Sequence, residues 1–295
     1  MKKMLVSFSG GRTSALMVRL IDSSPLYKDF EKVYIFANTG REREETLLFV
    51  KNCEEYFQIP IVWVEAVISQ EKGVGSKYKV VNYYTASRRE WDDDPSKPDT
   101  PFTKLCQKFG IPNKAKEGHC TRDLKLVPIE KYFKDHHGSD YIEAIGIRAD
   151  EQQRVANKFY PLVDLNIDEQ VVREFWQRQP FDLDLDDHQG NCDFCFKKSL
   201  RKRLTLINED PKGFNKWEED ESIRNKNNHT YDRDGFTCSE LRRMAEEFNN
   251  PYRDKLKSGV FQPKLPFAVQ NEFGGVRLDD LDLDKEKPCF CSGEA

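Results

Sequence analysis

A nearly unbroken apolar run, Met4-Leu5-Val6-Ser7-Phe8, passes directly into Ser9-Gly10-Gly11-Arg12-Thr13-Ser14, and this junction constrains the fold more than any other stretch. A short run without polar alternation reads as a strand buried on both faces, the habit of a parallel sheet. After the Gly-Gly turn, Leu16, Met17, Leu20 and Ile21 recur at helical spacing, so the turn is expected between a strand end and a helix N-terminus. Glycines there admit close backbone approach to an anion. The helix start adds N–H groups and a favourable dipole, and Ser9 and Ser14 add hydroxyls. Taken alone, the six residues fit both a phosphate-binding turn and an ordinary tight βα turn.

The rest of the N-terminal two thirds repeats the alternation. Val33 to Ala37 and Ile61 to Val64 are β-rich runs, and Phe49, Cys53, Tyr56 and Phe57 between them mark one helical face. Tyr141 to Ile147 supplies a fourth strand, after a helix expected to start near Pro128. The pattern predicts an α/β fold, a doubly wound, Rossmann-like parallel sheet with its ligand crevice at the C-terminal strand ends. Residues 67 to 119 break the pattern and are read as an insertion, with Trp91 to Pro95 as exposed loop. The expected organisation is one nucleotide-binding domain over 1–203 and a polar extension over 204–295. The extension carries one helix at Ser239 to Phe248, a Pro-punctuated stretch at 251–266 and a terminal Pro288-Cys289-Phe290-Cys291.

With 38% apolar and 33% charged residues, the chain is a folded, polar-surfaced protein rather than a disordered or membrane one. No apolar run approaches the roughly 20 residues of a bilayer span, and none resembles an export signal, so a cytoplasmic location and no membrane partner are expected. Eight cysteines are too sparse for a disulfide scaffold. Cys192 and Cys195, separated by two residues, can direct both thiolates at one metal, which is half a site. Cys53, Cys106 and Cys238 read as packing or surface residues. Lys197, Lys198, Arg201, Lys202 and Arg203 form either a solvated face or a funnel for an anionic substrate or nucleic acid. The net charge of −4 excludes wholesale nucleic-acid wrapping, not a local grip.

Four blocks, in order, resemble the PP-loop superfamily (adenine nucleotide alpha hydrolase-like proteins) and, within it, the phosphoadenosine phosphosulfate (PAPS) reductase-like family. They are Ser7 to Ser14, Phe36-Ala37-Asn38-Thr39-Gly40-Arg41-Glu42, Cys120-Thr121-Arg122-Asp123-Leu124-Lys125, and Gly146-Ile147-Arg148-Ala149-Asp150-Glu151. The resemblance implies that Ser7, Ser9, Gly10, Gly11, Arg12, Thr13 and Ser14 bind phosphates and that Phe36, Ala37, Asn38, Thr39 and Gly40 border the adenosine. It implies that Gly146, Arg148 and Arg154 approach the anionic part of the substrate, with Lys125 facing the nucleotide. Arginine beside a phosphate turn can make bidentate charge-assisted bonds, and a surface pairing of Arg148 with Asp150 or Glu151 is the plainer alternative.

The same resemblance groups Cys120 with Cys192 and Cys195 as ligands of a [4Fe–4S] cluster, with Cys289 or an open iron completing it. A zinc site and unligated thiols are the other readings. Family reductases use a thiol near the C-terminus as nucleophile, which here would be Cys291. Because sulfonucleotide reductases commonly lose the Gly-Gly turn, its presence favours ATP, with Mg2+, cleaved between the α and β phosphates. Adenylate would be left on an anionic acceptor, a nucleotide or nucleic acid, with sulfur supplied by a donor protein. Reductive cleavage of a sulfonucleotide (APS or PAPS), with Cys291 and Arg148 catalytic, is the alternative. A nucleotide sensor without catalysis is a third.

Overall fold

Alternate residues of the first strand face two different hydrophobic layers, and this fixes the architecture. β1 (Lys2–Phe8), β2 (Phe30–Asn38), β3 (Ile61–Val67) and β5 (Ile142–Ile145) run parallel, while β4 (Lys77–Val81) is antiparallel to β3, in the order β4-β3-β2-β1-β5. In this computed structural model, residues 1–112, 118–186, 188–190, 192–223, 235–248, 272–273 and 276–277 are described.

On one face, Met4, Val6, Phe8, Tyr34, Phe36 and Trp63 pack with α1 (Arg12–Ser23), α2 (Glu44–Phe57) and Trp176. On the other, Leu5, Val33, Ile35, Ala37 and Val64 pack with Ile129 and Phe133 of α5 (Val127–His137). The sheet is therefore covered on both sides, as doubly wound folds require. β1 lies between β2 and β5, so the chain leaves it in both directions, and the C-terminal end of β1 is the topological switch point where α/β sheets open a crevice.

The segment read as an insertion holds β4, a 3-10 turn at Arg89–Asp93 and α3 (Pro101–Phe109). The stretch expected as exposed loop is a partly buried turn whose Asp92 side chain is enclosed against Arg41, and Phe102, Leu105 and Cys106 of α3 are core residues. The helix expected to start near Pro128 begins earlier. A turn α4 (His119–Thr121) continues through a π-helical stretch, Arg122–Leu126, into α5. Proline cannot donate to the carbonyl four residues back and its ring crowds it; a π turn just upstream opens the ladder there.

α6 (Pro161–Asp164) and α7 (Glu169–Gln177) complete this unit, which comprises Met1–Leu105 and Gly118–Asp193. The second unit takes in residues 106–112 and the described chain from Phe194 onward. It contains α8 (Leu200–Glu209), α9 (Pro211–Ile223), α10 (Cys238–Phe248) and the short antiparallel pair β6 (Glu272–Phe273) and β7 (Val276–Arg277). The division at Asp193 lies upstream of the boundary expected at 203. Phe194 explains this, because its ring packs edge-on to Phe214 of α9 at 5.0 Å and joins the helical unit. Among the described residues no helix is long and apolar enough to cross a membrane.

Candidate functional site

Gly10 has a φ of +80°, and a β-carbon there would stand 2.8 Å from Thr46 Cγ2 and 3.0 Å from the Phe36 ring. Only glycine makes this bend without strain, and it lets α2 pack hard against the turn. Gly11 differs. Its φ is −104° and a β-carbon would meet nothing closer than Ser9 Oγ at 3.9 Å, so its missing side chain leaves an open cradle rather than relieving a clash. Inside the turn, the Ser9 amide donates to Ser14 Oγ at 3.2 Å, the two hydroxyls are 2.9 Å apart, and Ser14 Oγ also donates to Gly11 O at 3.0 Å. No side chain caps α1, so the first amides of the helix are left to a ligand or solvent.

Gly146 closes the turn from the other side. A β-carbon on it would lie 3.0 Å from Ser14 Cα, so β5 ends in contact with the first helical turn. Two residues further, Arg148 reaches a cleft of about 520 Å³ whose lining includes Arg12, Thr13, Glu169, Arg173, Trp176 and Asp182. The turn and the arginine that the sequence placed far apart thus share one cavity. Arg148 Nε and Nη2 form a bidentate pair with Asp150 at 3.0 and 2.8 Å, and Nη2 stands 3.5 Å from Glu169. The hydrogen bond from Arg148, ahead of its charge, holds the Asp150 carboxyl below the ordinary carboxylate range, so the pair is intact at neutral pH. Nη1 of Arg148 carries no hydrogen bond among the described residues.

The Arg12 side chain turns away from the cradle. Its Nε donates to Asp182 at 2.7 Å and its Nη2 to the Leu183 carbonyl, while Trp176 Nε1 donates to Arg12 O at 3.0 Å. What Arg12 offers an anion is its amide, and its guanidinium builds the cleft wall. Arg154 pairs with Glu151 at 2.6 Å and is not among the cleft residues. Ser7 Oγ donates to Glu143 at 3.0 Å between β1 and β5. Phe36 and Ala37 are buried in the two cores, so their side chains give the crevice nothing.

The end of β2 is a polar network that sequence reading only half identified. Glu42 accepts from the Thr39 amide at 2.8 Å and hydroxyl at 2.7 Å, and lies 3.6 Å from Lys125 Nζ. Cys192 Sγ is 3.8 Å from Thr39 Oγ1 and 4.0 Å from Glu42. Asn38 donates to the buried Glu65 at 2.6 Å and accepts from the Gly40 amide at 3.2 Å. Glu65 was missed because a carboxylate inside a β-rich run gives no local hint of partners 22 and 27 residues away. Of the five clustered cations, Lys197 and Arg203 are buried, so the run is not simply a solvated face.

Among the described residues no group of three or more His, Cys, Asp or Glu side chains is placed to hold one metal ion. Of the thiols expected to hold a cluster, Cys120 and Cys192 belong to the first unit and Cys195 to the second. Cys289 and Cys291 lie outside the described residues. Cys120, Cys192 and Cys195 are half-buried, whereas Cys53, Cys106 and Cys238 are buried. Burial pushes the Cys53 and Cys238 thiols well above their ordinary range, Cys238 with help from Glu221. At pH 7, iodoacetamide is expected to label Cys120, Cys192 and Cys195 ahead of the buried three. Peptide mapping that found Cys53 or Cys238 modified first would contradict these placements.

No protein-family model matches the chain. Over 209 residues it is 36% identical to a protein of Escherichia phage lambda described as uncharacterized nin region protein ORF290, a match covering 67% of each chain. The chain belongs to the family of that phage protein. It is also 26% identical over 157 residues to uncharacterized protein MJ0066 of Methanocaldococcus jannaschii. That match spans 53% of this chain and 25% of the archaeal one.

Proposed function

We propose that this chain is an adenine-nucleotide enzyme of the PP-loop, PAPS reductase-like type, which cleaves ATP between its α and β phosphates and leaves adenylate on an anionic acceptor. One observation carries the reading: Arg12 and Thr13 of the glycine turn and Arg148 from the end of β5 line the same 520 Å³ cleft. Amides at the start of α1 and the Ser9 and Ser14 hydroxyls hold phosphate oxygens, and Arg148 adds charge opposite them through Nη1. Mg2+ enters with ATP as part of the substrate.

The chemistry asked of the site is electrostatic. An acceptor oxygen attacks the α-phosphorus, the bond to the bridging oxygen breaks, and pyrophosphate leaves. Donors fixed around the phosphates stabilise the charge that develops on them. The adenylated oxygen is then a good leaving group, and sulfide delivered by a donor protein displaces it as AMP. Cys192, half-buried, stands by Thr39 and Glu42 just beyond the end of β2. Metal analysis of anaerobically purified protein and of Cys192→Ser bears on the cluster reading.

Binding titrations with ATP, APS and PAPS test the proposal. ATP is expected to bind most tightly, and Arg148→Ala to weaken it by roughly 10-fold to 100-fold, the loss of a charged hydrogen bond. Tighter binding of PAPS than of ATP would move the assignment to reductive cleavage of a sulfonucleotide.

A further inference from the structure

Several cations near the C-terminal edge of the sheet are matched to carboxylates. Arg12 pairs with Asp182, Arg41 with Asp92, Arg88 with Glu44, Lys125 with Glu42 and Arg148 with Asp150. Arg43 has no such partner. Its Nε and Nη2 are covered from solvent and meet no hydrogen-bond acceptor, although the residue as a whole is only half-buried. The neighbouring carboxylates are committed elsewhere: Glu42 to Thr39 and Lys125, and Glu44 to Arg88 and the Tyr83 hydroxyl. Two of its three guanidinium nitrogens are thus covered without an acceptor, and such groups call for a missing partner.

The position of Arg43 says what that partner is. Arg43 precedes α2, and its carbonyl accepts from Thr46 N at 3.0 Å and Leu47 N at 3.3 Å. Thr46 is the residue pressed against Gly10 of the phosphate turn. Arg43 therefore lies one helical turn before the residue that abuts the glycine turn, on extended backbone. We propose that Arg43 is the counter-ion of the phosphate chain held by the Ser9–Ser14 turn, its guanidinium leaving its covered position to pair with the anion. This rests on the nucleotide reading above and adds a residue that reading does not use. Two covered nitrogens without an acceptor gain a charge-assisted contact made only when ligand is present.

Two readouts must then move in opposite directions. In melting experiments with sodium tripolyphosphate, wild type is expected to be stabilised, and Arg43→Met to require roughly 10-fold to 100-fold more anion for the same shift. Without ligand, Arg43→Met is expected to melt slightly above wild type, because the covered nitrogens without acceptors are gone. Arg43→Lys keeps the charge and should recover part of the anion affinity. Calorimetric titration should show weaker ATP binding by Arg43→Met and unchanged adenosine binding. Equal tripolyphosphate affinity in wild type and Arg43→Met would overturn the inference, as would a wild type that the anion does not stabilise. An Arg43-dependent response to tripolyphosphate, with ATP binding no better than that simple anion, would leave the inference standing and remove the nucleotide reading.

Discussion

Gly11→Val is expected to weaken ATP binding by at least ~100-fold, the equivalent of two or more charged hydrogen bonds lost together, with the melting temperature nearly unchanged. The asymmetry comes from the local geometry. A β-carbon on Gly11 meets nothing closer than Ser9 Oγ at 3.9 Å, so a side chain there fills the space in front of the amides that the anion would take. Gly10→Ala is the control. There the backbone is left-handed and Thr46 Cγ2 stands 2.8 Å from the new carbon. Strain of ~1–2 kcal/mol for the conformation, with a further ~1–3 kcal/mol for overpacking, should make Gly10→Ala unstable. Calorimetric titration and thermal melting of both variants would separate the effects. Gly11→Val binding ATP as wild type does would remove the phosphate-turn assignment altogether.

The elements that the sequence revealed are those whose burial is complete. β1, β2, β3 and β5 were legible because residues such as Leu5, Ile35 and Val64 are covered on both faces of the sheet, which writes continuous apolar runs into the chain. β4 was not. As the antiparallel edge it carries Lys77 and Lys79 and exposes Val80, so its five residues look like a polar loop. The glycine turn was visible because its requirement is local, one positive φ and one open cradle within consecutive residues. Its partners were harder to read. Asp182 and Leu183 hold Arg12 across some 170 residues of chain, and no spacing rule links them. A family resemblance supplied Arg148 by order of blocks, but its bidentate pairing with Asp150, and hence which nitrogen stays open, is a matter of side-chain geometry. Arg43 is the extreme case, since what distinguishes it is a contact it lacks.

Glu65→Leu is expected to destabilise the protein by about 3–5 kcal/mol, the range for breaking a buried charged network from one side. Glu65 is fully buried at the end of β3 and accepts four hydrogen bonds or ion contacts: from Asn38 Nδ2 at 2.6 Å, from the Ser87 amide, from Ser87 Oγ at 2.9 Å and from Lys79 Nζ at 2.8 Å. Leucine leaves the Ser87 amide without an acceptor in a closed environment, and that penalty is not recovered by apolar volume. Glu65→Gln separates charge from shape, because its amide nitrogen can replace an acceptor only by facing one of these donors, so an intermediate loss is expected. The effect should also reach ligand binding. Asn38 Oδ1 accepts from the Gly40 amide, so Glu65 holds, through Asn38, the strand-end loop that carries Thr39 and Glu42. Urea unfolding should therefore show a reduced midpoint, and nucleotide affinity measured well below the transition should fall as well. A Glu65→Leu protein as stable as wild type would mean that the loop after β2 is held by its own turn, and that the carboxylate at the end of β3 serves some other end.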